Sequence, residues 1–557
     1  MHRFYISLIL TAVFLFTASN GQLLCRPTVP PNPPRIVNII HFIRQLEPRE
    51  EHITEDVLYE TVLRQVNQLN ECKLPATFLL QYDALINPRY QELLKNGLYF
   101  GSEVGAWWEI TQPHVEAAGM QWRGRFPWDW HADVGFATGY SPHEREKLVD
   151  IYMEKFKSVF GKYPASVGSW FIDAHSLAYM YDKYHIVASC NCKDQLGTDG
   201  YTLWGGYWNQ AYYPSRKNAF MPAQNESAQI AVPVFRMLGS DPIYQYDTGL
   251  GGLVQGVISL EPVYAEAGGN RRWVEWFFQS MFEGPSLNFN YVQAGQENSF
   301  TWEAMKTGLE IQIPLLDSLY RQGKIRVETL ETSGKWFRET YPLTPPTALS
   351  ALTDNRNQGH KTVWFNSRFY RANLLWKDHS FRFRDLRLFD ENLESDYLTK
   401  AGTTNQCVYL TLPLVDGFRW STPENLAGLR FKKLEKDGQV SELKIGAPIV
   451  TVPTPNVLQV ECRLESNKII RMTFYEDYLE IFCNVGKNRK WILELDVAPG
   501  TELPFISIEK QRITGVLNGF QYGITLQGAG FEKSGSAFRV VPFGNKFRIM
   551  MRQDYFR

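Results

Sequence analysis

The residues of this sequence best suited to chemistry are carboxylates that follow short apolar runs. Asp173 closes "GSWFID", two residues ahead of His175. Glu297 lies in "NYVQAGQENSF", after the aromatic run "SLNFNYV", and Glu261 ends "VISLE". Glu103 sits in "LYFGSEVGAWWEI", with Trp107 and Trp108 just beyond it. Burying an unpaired carboxylate is costly, so an acid at the end of an apolar run is either a functional group at a strand mouth or half of an ion pair. For Glu103 the ion-pair alternative is Arg44 or Arg49. Two facing carboxyls are what glycosidic bond hydrolysis commonly needs: one protonates the leaving oxygen and the other attacks or activates water. Asp199 and Trp204, in the Gly- and aromatic-rich "LGTDGYTLWGGYW", suit the lining of a cleft. His41 and Arg44, at the end of "IVNIIHFIR", and Gln296, beside Glu297, complete the polar candidates for substrate binding.

The elements that position these groups alternate. "IVNIIHFI" reads as a buried strand, and the helix "ITEDVLYETVLRQVNQLNECK" follows it, with Thr54 as N-cap. "ATFLLQYDAL" reads as strand, "PRYQELLKNG" as helix and "LYFGSEVG" as strand. A long amphipathic helix opened by Ser141 and stopped near Gly161 precedes the strands "SVGSWFIDAHSL" and "HIVASCN". Strand–helix alternation with continuously apolar strands predicts parallel βαβ units covered on both faces, and in barrels of this class chemistry sits at the C-terminal strand ends. After about residue 345 the pattern changes. "KTVWFNSRFYRANLLW", "SFRFRDLRLFDE", "QCVYLTLPLV", "KIIRMTFYEDYLEIFCNV" and "RKWILELDV" are β-type runs separated by turn residues. The reading is an α/β barrel over 36–345 and a β-sandwich-like domain over 346–557.

Composition bounds the partners. The 557 residues are 44% hydrophobic and 21% charged with a net charge of −1, which argues against nucleic acid as the main partner. Sixteen Trp among 14% aromatics suit stacking on sugar faces or a large aromatic core. Residues 1–21 read as a signal peptide and 22–35 as a Pro-rich leader, so export to a periplasm or the outside is expected, with Cys25 a candidate for lipid attachment. No spanning segment follows. Seven Cys make no disulfide scaffold, and Cys462 with Cys483 is the first pair to test.

These motifs resemble the glycoside hydrolase/deacetylase superfamily, and within it the family 57 glycoside hydrolases, over roughly residues 36–340. "GSWFIDAHSL" is similar to that family's Gly-x-Trp-x-x-Glu, which implies Asp173 as nucleophile with Asp in place of Glu. "SEVGAWWEI" resembles the third-strand motif that lines a sugar subsite, implying that role for Glu103, and "HFIRQ" implies a sugar-binding His41. "QAGQENSF" resembles the general-acid loop without its Asp; Gln293 or Gln296 stands there, and Glu297 is the substitute acid. The resemblance implies a distorted (β/α)7-type barrel. The whole chain also resembles a secreted family that joins such a barrel to a β-domain. The expected function is an exported glycoside hydrolase acting on a carbohydrate by a two-carboxylate mechanism, without a cofactor. The alternatives are a glycan-binding protein without catalysis and a metal-dependent polysaccharide deacetylase. The deacetylase needs an Asp and two His on an ion. Its paired acid and His-x-x-x-His are missing, and "DWHAD" (Asp129, His131, Asp133) is the one remaining metal hint.

Overall fold

The strand β1 (Arg35–Ile43) is buried on both faces over almost its whole length, as expected of a central parallel strand sheathed by helices. The computed structural model describes residues 33–434, 439–464, 468–484 and 490–556; the expected signal peptide and Cys25 lie outside them. Next come β2 (Thr77–Leu80), β3 (Glu103–Trp107), β4 (Ser166–Gly168) and β5 (Ala188–Asn191). With Val234–Arg236 beyond β5 and Asn290–Ala294 beside β1, they form a seven-strand parallel run. The run curls into an open barrel. Its first and last strands meet through side chains rather than a backbone ladder: Gln293 Oε1 accepts from the Leu238 amide at 2.7 Å, and the rings of Phe235 and Tyr291 lie 4.9 Å apart.

Local signals place the helices. Thr54 caps α1 (Glu55–Cys72) by accepting from the Val57 amide. Ser141 and Glu144 form a reciprocal capping box at the start of Pro142–Phe160, and Gly161, at φ 77°, ends that helix. The last barrel helix is Leu330–Thr340, and antiparallel strands begin at Thr347. They build one ten-stranded and one eight-stranded sheet, which share a core where Phe365 and Phe474 lie 5.3 Å apart. This region locks onto the barrel. Trp208 and Trp364 stack at 4.3 Å, and Arg371 joins Asp194 (2.5 Å) to Asp385 (2.6 Å). Its strand Cys407–Leu410 pairs with Tyr201–Trp204, the second arm of a hairpin after β5.

Two expectations need correction. Cys462 and Cys483 are both free and buried. Each pairs with Ile470 from opposite sides, so they sit two strands apart, about 9.5 Å by strand spacing, which exceeds disulfide reach. "LYFGSEVG" is not a strand ending at Glu103. Gly101, at φ 91°, turns the chain, Phe100 is 92% exposed, and the strand starts at Glu103. Among the described residues no helix is long and apolar enough to cross a membrane.

Candidate active site

The C-terminal ends of the parallel strands converge on Arg44. It follows β1 and grips Glu109, beyond β3, with two hydrogen bonds of 2.9 and 2.6 Å. Gln81, after β2, donates to the same carboxylate at 2.7 Å. Nη1 of Arg44 lies 2.7 Å from Glu297 Oε2, and its guanidinium stacks on Trp128 at 4.2 Å. Asn298 fixes the Arg44 backbone by accepting from its amide and donating to its carbonyl. Burial works against the guanidinium's charge, yet Glu109 and Glu297 hold its pKa above the ordinary value.

Glu297 reaches this position because Gly295 precedes it. Gly295 sits at φ 89°, and a Cβ there would lie 2.3 Å from the Ile40 carbonyl oxygen; no other residue fits. Burial raises the Glu297 carboxyl, Arg44 pulls it back and Glu109 pushes it up again, leaving it at about 7. One residue earlier, Gln296 donates to Glu261 Oε2 at 2.7 Å and accepts from the Glu297 amide at 2.9 Å, tying the two acids together. Glu261 Oε1 also accepts from Lys193 (2.7 Å) and Ser259 (2.8 Å). Behind Gln296, His41 bonds its carbonyl at 3.1 Å; burial lowers that imidazole to about 4, so it is neutral at physiological pH.

Glu297, Glu261 and Asp199 line a cleft of about 590 Å³, within the range of small-ligand sites. The loop after β1 adds Glu47, Arg49, Glu50 and His52; Trp170, Lys193, Tyr201, Tyr264 and Phe300 complete its main walls. Asp199 is half exposed, 3.7 Å from Arg49. Glu47, despite burial, is held below its usual range by Arg49 and Arg44.

Of the sequence candidates, Glu297, Glu261 and Asp199 line this cleft. Arg44 and Gln296 stand directly behind them, and His41 one step further back. The others do different work. Glu103 starts β3 and so lies at the opposite end of the barrel, where it accepts from the Thr77 hydroxyl and the Glu331 amide rather than pairing with Arg44 or Arg49. Trp107 is buried against Phe42 at 4.2 Å, and Trp108 packs on His114 and Tyr152 outside the barrel. Trp204 donates to Asp416 and packs on Phe418, between barrel and β-region. His175 bonds Glu146 on a helix surface. Asp129 is held by Arg125, and among the described residues no three His, Cys, Asp or Glu are arranged to hold a metal ion.

Asp173 is the largest correction. It caps the helix Ala174–Tyr184, accepting from the Ser176 amide (2.9 Å) and hydroxyl (2.7 Å). It also pairs at 2.9 Å with a fully buried Arg145, which in turn donates to the carbonyls of Tyr140 and Lys400. The carboxylate is fully engaged and is not part of the cleft wall. Asp173→Asn keeps the cap and removes a charged partner. It is expected to cost about 1.5–3 kcal/mol in unfolding free energy with little effect on turnover; lost turnover at unchanged stability would restore its catalytic role.

Sequence reasoning passed over Glu109, Lys193, Trp170 and Tyr264. A signal existed for two of them. Glu109 is the first acid after the true end of β3, and Trp170 follows β4, bringing an indole to the cleft and packing edge-to-face with Trp107 at 5.7 Å.

Three solved structures bear a likeness to this chain. A candidate glycoside hydrolase/deacetylase from Parabacteroides distasonis is 17% identical over 69% of this chain and 89% of its own, with a TM-score of 0.49. A candidate polysaccharide deacetylase from Mycobacterium smegmatis is 12% identical over 56% and 93%, with a TM-score of 0.34. A 4-alpha-glucanotransferase from Thermococcus litoralis is 9% identical over 94% and 100%, with a TM-score of 0.30. No protein-family model and no curated protein matches the sequence.

Proposed function

We propose that this chain is a carbohydrate-active enzyme that hydrolyses glycosidic bonds, with Glu297 as general acid and Glu261 as the partner carboxylate. The observation that carries this reading is the pairing itself. A buried carboxyl at about 7 and a second carboxyl held by an ammonium line one aromatic-walled cleft, and Gln296 ties the Glu261 carboxylate to the Glu297 backbone amide. A general acid works best with a pKa near the operating pH. Glu297 would deliver its proton to the glycosidic oxygen. Glu261, accepting from Lys193, Ser259 and Gln296 as a carboxylate does, would attack the anomeric carbon or deprotonate water. Trp170, Tyr201 and Tyr264 offer apolar faces for sugar rings.

The deacetylase alternative needs a metal set that these residues do not supply. The non-catalytic alternative keeps one observation in its favour: both oxygens of Glu261 already carry hydrogen bonds. Incubation with cello-, xylo- and malto-oligosaccharides and with acetylated xylan separates the readings. The expected result is new reducing ends without acetate. Acetate release would favour the deacetylase, and saturable binding with no product the binding protein.

A further inference from the structure

Beside the cleft runs a second aromatic feature that the chemistry does not use. The segment 126–130 carries Phe126 and Trp130 with their rings 6.1 Å apart and within 12° of parallel. Phe126 is 38% exposed and Trp130 partly so. Two cleft residues fasten this step to the site. Arg49 places its guanidinium 5.5 Å from the Trp130 ring, and the Tyr201 hydroxyl donates to the Trp130 carbonyl. Arg125 backs the indole at 4.5 Å. Both guanidiniums already hold a carboxylate: Arg49 pairs with Glu47 and Arg125 with Asp129, each through two bonds of 2.7 or 2.8 Å. Arg125 also lies over Phe126 at 5.5 Å, so the step offers the exposed part of the Phe126 and Trp130 rings flanked by neutralised guanidiniums rather than a spare positive charge, which suits an uncharged sugar and gives an anionic one nothing to pair with.

We propose that the Phe126–Trp130 step is a distal sugar subsite continuous with the cleft, occupied by a neutral glycan chain whose other end reaches Glu297. This rests on the glycoside hydrolase reading and adds to it that the substrate is an uncharged oligo- or polysaccharide longer than the cleft itself.

The test compares the parent with Phe126→Ala, Trp130→Ala and Trp130→Tyr on a neutral series from disaccharide to hexasaccharide. In both alanine variants the ratio of hexasaccharide KM to disaccharide KM is expected to rise about 3–10-fold, the size of one lost aromatic contact; Trp130→Tyr should return it towards the parent. The same variants in a Glu297→Gln background, titrated with malto-, cello- and xylohexaose, read affinity without turnover. This arm decides the subsite even if no glycan is cleaved: the hexaose Kd should rise by the same factor. A shift equal at every chain length, no shift in either alanine variant, or tighter binding of hexagalacturonate than of every neutral hexaose would overturn the proposal.

Discussion

Glu297→Gln is expected to lower kcat by about 10²–10⁴-fold, the usual contribution of a positioned general acid, while raising stability at alkaline pH. Both effects have one origin. The carboxyl is buried, and its pKa stands at about 7 in the folded protein against about 4.3 in an unfolded chain. The folded state therefore holds a proton that the unfolded state gives up between these values. The stability from that raised pKa is intact below about pH 4.3 and is lost as pH rises through 7, about 4 kcal/mol in all. Glutamine does not titrate and escapes that loss. The Tm difference between variant and parent should thus move in the variant's favour from pH 5 to pH 8. A variant that keeps parental kcat, or a Tm difference independent of pH, would contradict the assignment.

Arg44→Met is expected to cost about 3–5 kcal/mol, the range for removing one partner of a buried ion pair. The methionine fills the space over Trp128 but leaves Glu109 with Gln81 alone and Glu297 without its cation. The loss should come from the stranded Glu109 carboxylate rather than from packing. Arg44→Met combined with Glu109→Gln should therefore recover part of the stability, and the coupling in a double-mutant cycle reads this directly. A single variant within 1 kcal/mol of the parent by denaturant unfolding would show that Arg44 is not the hub described.

What could be read from the sequence was local. The N-caps Thr54 and Ser141, the stop at Gly161 and the change to β-type runs past 345 are written in short-range patterns, and the structure follows them. Glu297 and Glu261 were legible because each follows an apolar run into the mouth of the barrel. Glu103 was misread because "LYF" looks like strand, yet it belongs to an exposed turn; moving the strand start to Glu103 carries that acid to the far rim and leaves Glu109 at the mouth. Asp173 satisfies a catalytic motif and an N-cap pattern alike, and only the buried Arg145, 28 residues earlier, decides between them. Trp204 could not be placed from its neighbours, since its partner Asp416 lies 212 residues away. The ties that join Arg44 to Glu109 and Glu297, and Glu261 to Gln296, link separate strand ends, and no local spacing encodes them.

The pH dependence of kcat/KM on a cleaved oligosaccharide, measured for the parent and for Glu297→Gln, tests the central claim most directly. Asp83, also raised by burial to about 7, makes the comparison with the variant necessary. If Glu297 is the acid, the parent rate falls above about pH 7 as the carboxyl loses its proton, and the residual activity of Glu297→Gln lacks that limb. A parental profile flat from pH 6 to 9, or an alkaline limb that persists in the variant, would show that the proton comes from elsewhere.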